Sequence, residues 1–292
     1  MASLLDMRRR IKSVKNTQQI TKAMKMVAAA KLKRAQDRVT AARPYARKMT
    51  AVLGSLSAKV SDDFSHPLLD ARGDTNYLVV LVTADKGLAG GFNANVIKAT
   101  QGFIKENGDR SIDLVAVGRK GRDFFKRRSA TISEEYIGLT GRGTANYSDA
   151  VDISKEIIKR FTEDESIDRV FLVFTEFKTV LSQKPVIEQI LPIPREEAIA
   201  AAEAPAESAE YIYEQPAAEI FGKLLPKQVE TQIYRALLES VASEQGSRMT
   251  AMDSASKNAG ELIDSLTLNM NRIRQAAITK EIIEVVSGAA AL

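Results

Sequence analysis

The residues that most suggest chemistry lie in a glycine-rich stretch, TADKGLAGGFNAN, at positions 83–95. A glycine-rich turn between a strand and a helix is a common phosphate site, because backbone N–H groups converge there. A P-loop needs lysine and then serine or threonine after its last glycine, but Phe92 and Asn93 follow Gly91. The glycine spacing does not fit a dinucleotide fingerprint either. The stretch therefore favours backbone turns or a partner contact over nucleotide binding.

Few other residues could serve catalysis or bind a metal. His66 is the single histidine, and its neighbours Ser65 and Pro67 indicate a polar surface connector. Asp62 and Asp63 are adjacent, so their side chains are expected to point apart in a solvated loop. The chain has no cysteine, which excludes disulfides, thiolate metal sites and a cysteine nucleophile. We expect no catalytic residue, no metal and no cofactor.

A basic segment at 119–128 contains the aromatic pair Phe124 and Phe125. Aromatic rings among positive charges are typical of surfaces that stack nucleic-acid bases. Paired phenylalanines on a short helix are more often packed against a sheet. We therefore expect the pair to belong to the core.

Charge is unevenly distributed along the chain. Residues 1–48 contain fourteen lysines and arginines but only two aspartates, so they carry +12, and the rest of the chain carries −7 of the net +5. Such asymmetry indicates a basic element that meets nucleic acid, anionic lipid or an acidic protein, or else a solvated basic helix face. No stretch approaches the roughly 18 apolar residues of a transmembrane helix.

The middle of the chain alternates between strand and helix patterns. The run YLVVLV at 77–82 is β-branched without alternation, as expected for a strand buried on both faces. Strands are predicted at 77–82, 114–117, 131–136, 170–174 and 186–191, and helices at about 93–106, 122–128 and 148–161. This alternation predicts an open α/β sheet.

The N-terminal segment is predicted to be one long helix with an apolar seam. From Ala28 to Leu56 small and apolar residues recur in alternating steps of four and three, the heptad pattern of a coiled coil. The positions are Ala28, Leu32, Ala35, Val39, Ala42, Ala46, Met49, Leu53 and Leu56. Upstream, the apolar positions are Met7, Ile11, Val14, Ile20, Met24 and Val27, which predicts that the stripe rotates around the helix there. Pro44 is expected to kink or locally open the helix.

The C-terminal segment is also predicted to be one long helix with an apolar seam. Its seam is predicted at Ala255, Ala259, Leu262, Leu266, Met270, Ile273 and Ala277. The mean step of about 3.67 is typical of a straight or slightly right-handed path, and Pro226 is expected in the first turn of the helix. Two long alanine-rich seams at opposite chain ends predict one antiparallel coiled coil.

These patterns divide the chain into four parts. We expect an N-terminal coiled-coil helix at 1–57, a central α/β domain at 76–193, an exposed acidic connection at 194–215 and a C-terminal coiled-coil helix at 216–292. The predicted fold class is α/β plus coiled coil.

Four segments carry a family resemblance over essentially the whole chain. They are IKSVKNTQQITKAMKMVAAAKL at 11–32, the glycine-rich stretch at 83–95, SEQGSRMTAMDSA at 243–255 and ITKEIIEVVSGAAA at 278–291. They resemble the gamma subunit of the rotary proton-translocating ATP synthase, bacterial type. The last segment fills the specific pattern I-T-x-E-x-x-E-x-x-x-G-A without exception. The cysteine-bearing regulatory insertion of the chloroplast type is missing, so thiol control is not expected.

The resemblance implies a rotor rather than an enzyme in its own right. In this family the terminal helices form an antiparallel coiled coil inside a ring of three alpha and three beta subunits. The central Rossmann-like α/β domain lies against the epsilon subunit and the c ring. Torque passes between the proton-driven c ring and the catalytic alpha/beta ring, and gamma binds no nucleotide or other cofactor. The complex is a peripheral assembly on the cytoplasmic face of the bacterial plasma membrane.

The resemblance also implies which residues contact the partners. Met24 and Lys25 match positions near the acidic levers of beta, and four C-terminal positions match residues that contact beta or support that contact: Arg248, Gln275, Thr279 and Glu281. None of the six is implied to be catalytic.

Two other classes of protein stay open from the residues alone. A nucleic-acid-binding coiled coil would use the N-terminal basic residues on phosphates, and its affinity would fall steeply with salt. A nucleotide-dependent α/β enzyme would need the phosphate loop that is missing here. Co-purification with alpha and beta subunits, with nucleic acid or with a small ligand separates the three.

Overall fold

The computed structural model describes residues 4–57, 59–60, 64–128, 130–141, 143–163, 166–193 and 214–290. Its contacts divide the chain into two compact units, each of which draws on both long helices. We call Met1–Ala28 with Arg248–Leu292 the terminal unit and Ala29–Ser247 the sheet unit. The acidic connection predicted at 194–215 lies outside the described residues, except for its last two positions.

A five-stranded sheet forms the centre of the sheet unit. Its strands are β1 (Asn76–Val82), β2 (Ser111–Val117), β3 (Ile132–Tyr136), β4 (Arg169–Phe177) and β5 (Gln183–Leu191). The spatial order is β3-β2-β1-β4-β5, in which the first four strands are parallel and β5 is antiparallel to β4. The predicted open α/β sheet is confirmed.

Three helices cover the sheet: α2 (Phe92–Glu106), α3 (Arg119–Lys126) and α4 (Tyr147–Glu163). Val79 and Leu81 of β1 pack in one core cluster with Val96 of α2 and Phe125 of α3. Phe124 packs against the same cluster, with the Arg128 guanidinium 3.7 Å from its ring centroid. The aromatic pair therefore holds α3 on the sheet, as expected.

The two long helices are α1 (Leu4–Ser57) and α5 (Ala217–Ala290). Pro44 lies inside α1, which continues as a helix on both sides of it. The expectation that Pro226 lies in the first turn of the C-terminal helix is wrong, because α5 begins at Ala217. A proline removes one N–H donor from a helix, and tertiary packing outweighs that loss here.

Within the sheet unit the two helices are deeply buried. The predicted α1 seam is confirmed, with Leu32, Leu53 and Leu56 at most 4 % exposed. Every residue from 236 to 246 of α5 is buried. Where β4 extends beyond β1, side chains of α5 bond the backbone groups of the strand. The Thr175 N–H donates to the Ser240 hydroxyl at 3.4 Å, and the Ser243 hydroxyl donates to the Thr175 carbonyl at 3.1 Å.

In the terminal unit the α1 seam does not rotate as predicted. Ile20 and Val27 are 59 % and 56 % exposed, whereas Thr21 is 8 % exposed. The heptad continues through Gln18, Thr21 and Lys25, which are polar. The Gln18 amide donates to the Ser256 carbonyl of α5 at 3.2 Å, so a polar side chain with a partner fills a seam position that we expected to be apolar.

The C-terminal seam also needs two corrections. Ser256 is 7 % exposed and the predicted Ala255 is half-buried, so Ser256 takes its place in the seam. Leu262 is 48 % exposed and its neighbour Ile263 is half-buried, so Ile263 replaces it in the seam. The positions on the buried side then alternate in steps of four and three: Met252, Ser256, Ala259, Ile263, Leu266, Met270, Ile273 and Ala277. This is a heptad rather than an eleven-residue repeat, as pairing with the α1 heptad requires.

Candidate functional site

The loop after β1 was the first candidate site, and the structure places Asp85 at its centre. The Asp85 carboxylate accepts backbone N–H bonds from Arg119 at 3.1 Å, Gly138 at 3.0 Å and Gly141 at 2.9 Å. The Thr140 hydroxyl donates a fourth bond at 3.1 Å. Arg119 follows β2, and Gly138 and Gly141 follow β3. The donors therefore converge at the carboxyl edge of the parallel strands, where open α/β sheets bind ligands.

The charge of Asp85 makes this edge unsuitable for phosphate. Burial alone would raise the pKa of the Asp85 carboxyl, but the bonds from Gly138, Arg119 and Gly141 outweigh it and hold that pKa below its ordinary value. The side chain is therefore an anion at neutral pH. It occupies the donors that a phosphate group would need, and its negative charge repels a second anion.

The glycine-rich stretch itself forms a tight turn. Leu88 and Gly90 adopt left-handed backbone angles, with φ of 60° and 54°. The Asn93 side-chain carbonyl accepts the Ala84 N–H at 3.0 Å, which fixes the turn to the start of α2. Gly118, with φ of 95°, is required because a Cβ there would lie 2.1 Å from the Thr83 carbonyl oxygen. The prediction that the glycines of this stretch serve backbone turns is confirmed at Gly90.

In the terminal unit the predicted contact residue Lys25 lies in the helix seam. Its Nζ binds Asp253 of α5 at 2.6 Å, and Lys257 binds the other oxygen of Asp253 at 3.1 Å. The hydrogen bond from Lys25, followed by that from Lys257, holds the pKa of the Asp253 carboxyl below its ordinary value. Lys25 therefore makes an intramolecular ion pair across the coiled coil, and its side chain remains 44 % exposed.

The other predicted contact residues do not form one site. Gln275, Thr279 and Glu281 are exposed, and the Thr279 hydroxyl donates to the Gln275 carbonyl within the helix at 2.9 Å. Arg248 is half-buried and lies about 40 Å from Gln275 along α5 at about 1.5 Å per residue. Met24 is half-buried on α1. These residues can contact a partner only as separate patches on a long helical surface.

Exposed apolar side chains were missed as candidates. Ile20, Met26 and Val27 surround Met24 on α1 and are 56–67 % exposed. On α5 every residue from 278 to 289 is exposed, including five large apolar side chains: Ile278, Ile282, Ile283, Val285 and Val286. A continued heptad would have placed all of these outside the seam, which was the available signal. Contiguous exposed apolar surface marks a protein contact.

The part of the chain that the structure describes contains no group of three or more His, Asp or Glu side chains that could hold a metal ion. Over the same residues no helix is long and apolar enough to cross a membrane. An α/β domain joined to long helices that present apolar patches outside their seam defines a class of protein with surfaces for protein–protein contact.

Comparisons with known proteins agree with this class. A family model described as ATP synthase matches residues 3–292. The ATP synthase gamma chain of Solibacter usitatus is 54% identical over 100% of this chain and 99% of its own, and that of Heliobacterium modesticaldum is 52% identical over 100% of both. The chain therefore belongs to the family of ATP synthase gamma chains, and the resemblance of its four segments is confirmed.

Solved structures share the fold. The central stalk of the Tetrahymena thermophila mitochondrial ATP synthase, solved with its c ring, is 27% identical with a TM-score of 0.59, covering 81% of this chain and 99% of its own. A chain of the Euglena gracilis mitochondrial enzyme has a TM-score of 0.67 at 18% identity over 99% of this chain and 94% of its own, which supports the fold alone. The predicted fold class, two long terminal helices with a central α/β domain, is confirmed. So is the predicted place of the chain, as a rotor-stalk subunit of ATP synthase.

Proposed function

We propose that this stalk subunit transmits torque between a proton-driven c ring and the catalytic alpha/beta ring. The observation that carries this proposal is the exposed segment 278–289 of α5. It extends beyond the last seam position, Ala277, and has no charged residue after Glu284. Its large apolar side chains share one side of the helix, opposite Lys280, Glu281 and Glu284, and an exposed apolar face marks a protein contact. The alpha/beta ring is proposed to supply the partner surface for this apolar face.

The chain is proposed to be non-catalytic within the ATP synthase complex. Support comes from the loop after β1, where the Asp85 carboxylate takes the backbone donors of Arg119, Gly138 and Gly141. The chain is accordingly proposed to act without a cofactor of its own. ATP turnover then belongs to the alpha and beta subunits, three of each.

The proposed contacts with the alpha/beta ring follow the terminal unit. Met24 lies among the exposed apolar side chains of α1, and Arg248, Gln275, Thr279 and Glu281 lie along α5. Lys25 is also proposed to contact the alpha/beta ring. Its ion pair with Asp253 allows this, because nearly half of its side chain remains exposed. The +12 charge of residues 1–48 complements acidic lever segments of beta.

The proposed contacts of the sheet unit are with an epsilon subunit and the c ring. A torque-bearing domain must be stiff, and the sheet unit has a core in which β1 is buried on both faces. The assembled complex is proposed to lie peripherally on the cytoplasmic face of a bacterial plasma membrane. The c ring is proposed to provide the attachment to the membrane.

The test is reconstitution with the alpha and beta subunits of the same organism. We expect a complex with one copy of this chain per three alpha/beta pairs, ATP hydrolysis only after assembly, and stepwise rotation of a bead attached to the sheet unit. The isolated chain should hydrolyse no ATP and give no calorimetric signal at micromolar ATP.

A matched truncation sharpens the test. A chain that ends at residue 277 keeps the whole seam of α5 and loses only the exposed end. It should fold as stably as the full chain but assemble less tightly and deliver less torque. Micromolar ATP binding by the full chain, or a complex that turns over without any rotation, would refute the proposal.

A further inference from the structure

The apolar seam between α1 and α5 opens at one level of the sheet unit. The seam positions Ala42 and Ala46 of α1 are only half-buried. The seam positions before and after them, Val39 and Met49, are 3 % and 9 % exposed. Two grooves lie between the helices at this level, with volumes of about 840 Å³ and 440 Å³, and Ala46 lines both of them. Close packing resists the sliding of one helix past another, and here that packing is incomplete.

A buried carboxylate supplies a polar contact between the two helices at the same level. Glu239 of α5 is 4 % exposed, and it lines the larger groove together with Arg43 of α1. Its Oε1 accepts two bonds from Arg43, from Nε at 3.1 Å and from Nη2 at 2.9 Å. A carboxylate that is buried to this extent is costly unless a cation and N–H donors satisfy it. The Arg43 guanidinium therefore belongs to the structure of this contact, although 42 % of its side chain is exposed to the groove.

The last residue of β4 completes the contact. The other carboxylate oxygen of Glu239 accepts the Phe177 N–H at 3.0 Å, and Nη2 of Arg43 also donates to the Phe177 carbonyl at 3.1 Å. We call Arg43, Glu239 and the Phe177 backbone the clamp. It joins α1, α5 and β4 in one closed ring of hydrogen bonds. Arginine suits this position because its planar guanidinium presents several N–H groups in fixed directions, which the compact ammonium of lysine does not.

We propose that Arg43 is a positioning residue, which through the clamp fixes α1 against α5 and the sheet while the stalk carries torque. The inference rests on the proposed function. Torque that enters through the sheet unit must reach both helices, and packed helices slide most easily where a gap separates them. A fully bonded buried polar network stiffens the structure around it. The clamp therefore adds stiffness at the level where the seam itself supplies least.

The test compares the unmodified chain with Arg43→Met, which keeps an unbranched side chain and removes the guanidinium. Arg127→Met, at an exposed position directly after α3, loses the same charge and serves as the matched control. Each chain is assembled with alpha and beta subunits, and the ring is stalled with a non-hydrolysable ATP analogue. The angular fluctuation of a bead on the sheet unit is then recorded. We expect an angular variance that is about twofold larger or more for Arg43→Met, because the clamp is lost, and no change for Arg127→Met.

Two conservative variants keep the test decisive if Arg43→Met does not fold. Glu239→Gln removes only the charge, and Arg43→Lys keeps the charge but replaces the planar guanidinium, so both should give variances between those of the unmodified chain and Arg43→Met.

Circular dichroism and urea unfolding of the isolated chains identify the variants that fold. A residue that only stabilised the fold would lower the urea midpoint and leave the variance of the assembled stalk unchanged. That result in every clamp variant that folds would overturn the positioning role. An unmodified chain that assembles but does not rotate would instead refute the proposed function.

Discussion

The buried and exposed stretches of α5 differ in what their residues contact. Residues 236–246, in the sheet unit, are buried without exception, whereas residues 278–289, in the terminal unit, are exposed without exception. Both stretches contain large apolar side chains, such as Leu237 and Ile282. The same residue types therefore stabilise the isolated chain in one stretch and are available to a partner in the other.

The coiled-coil seams of the two units also differ, because apolar residues fill one and polar residues occupy part of the other. In the sheet unit α1 contributes leucine and methionine, while in the terminal unit Gln18, Thr21 and Lys25 occupy seam positions. Polar seam residues fix the register of a coiled coil at a cost in stability. The sheet unit therefore contributes most of the apolar packing, and in the terminal unit polar residues hold the two helices in register.

The largest expected effect tests this division directly. Leu237→Ala removes a side chain that is 1 % exposed and should lower the free energy of unfolding of the isolated chain by about 2–5 kcal/mol. Ile282→Ala, at 58 % exposure, should change it by no more than about 0.5 kcal/mol while weakening assembly. Urea unfolding and subunit pull-down measure the two effects. Equal losses of stability would contradict the division.

The second prediction concerns Asp85. Asp85→Asn removes the charge that accepts three backbone N–H groups and should cost about 2–3 kcal/mol of unfolding free energy. The pKa of this carboxyl is lowered in the folded chain, so its contribution is present above about pH 4 and is lost as pH falls further. The unmodified chain should therefore lose stability in that acidic range more steeply than the variant. Urea midpoints measured from pH 7 to pH 3 check this, and parallel curves would be the contrary result.

A smaller effect is expected at the ion pair of the terminal unit. Asp253→Asn removes the partner of Lys25 and Lys257, which are both partly exposed. The loss of stability should be smaller than for Asp85→Asn, and it should vanish at high salt because exposed charges are screened. Thermal melts at low and high sodium chloride measure it. A large loss that is insensitive to salt would show that the pair holds the terminal unit together.

The smallest effect on the isolated chain is expected for Thr279→Val. The hydroxyl donates only to the Gln275 carbonyl in its own helix, so melting should hardly change. If the residue contacts beta, the hydroxyl oxygen can still accept a bond there, and its loss should cost about 0.5–1.5 kcal/mol in the assembled complex. ATPase activity after assembly reports that loss. An unstable subunit with normal turnover would place Thr279 in the seam instead.

The sequence predicts the elements of this fold well where local pattern decides them. The apolar run of β1 and the heptad from Leu32 to Leu56 are unambiguous. A strand buried on both faces is apolar throughout, and a helix buried on one stripe has apolar residues at regular steps. The choice between Leu262 and Ile263 was not decided locally, since two adjacent apolar residues satisfy either period. Gln18 was missed because its place in the seam is shown only by its bond to Ser256 on another helix. Thr21 was missed because its hydroxyl bonds the Gln18 carbonyl of its own helix, which a polar pattern does not distinguish from an exposed position.

The candidate site depends even more on distant residues. Nothing in the glycine-rich stretch itself distinguishes Asp85. Its role depends on the backbone N–H groups of Arg119, Gly138 and Gly141, which only the folded chain brings to its carboxylate. By contrast, the terminal segments identified the family directly, because their pattern of residues is specific.

The internal carboxylate of Asp85 has a consequence for selectivity. A stalk in an ATP synthase works among high concentrations of ATP, ADP and phosphate, and an α/β domain of this topology offers the natural place for them to bind. If the stalk took up these molecules, its mechanical properties would vary with the energy state of the cell. On the proposed function, the internal anion at this edge excludes these phosphate-bearing molecules, so the stalk would respond to torque and not to nucleotide concentration.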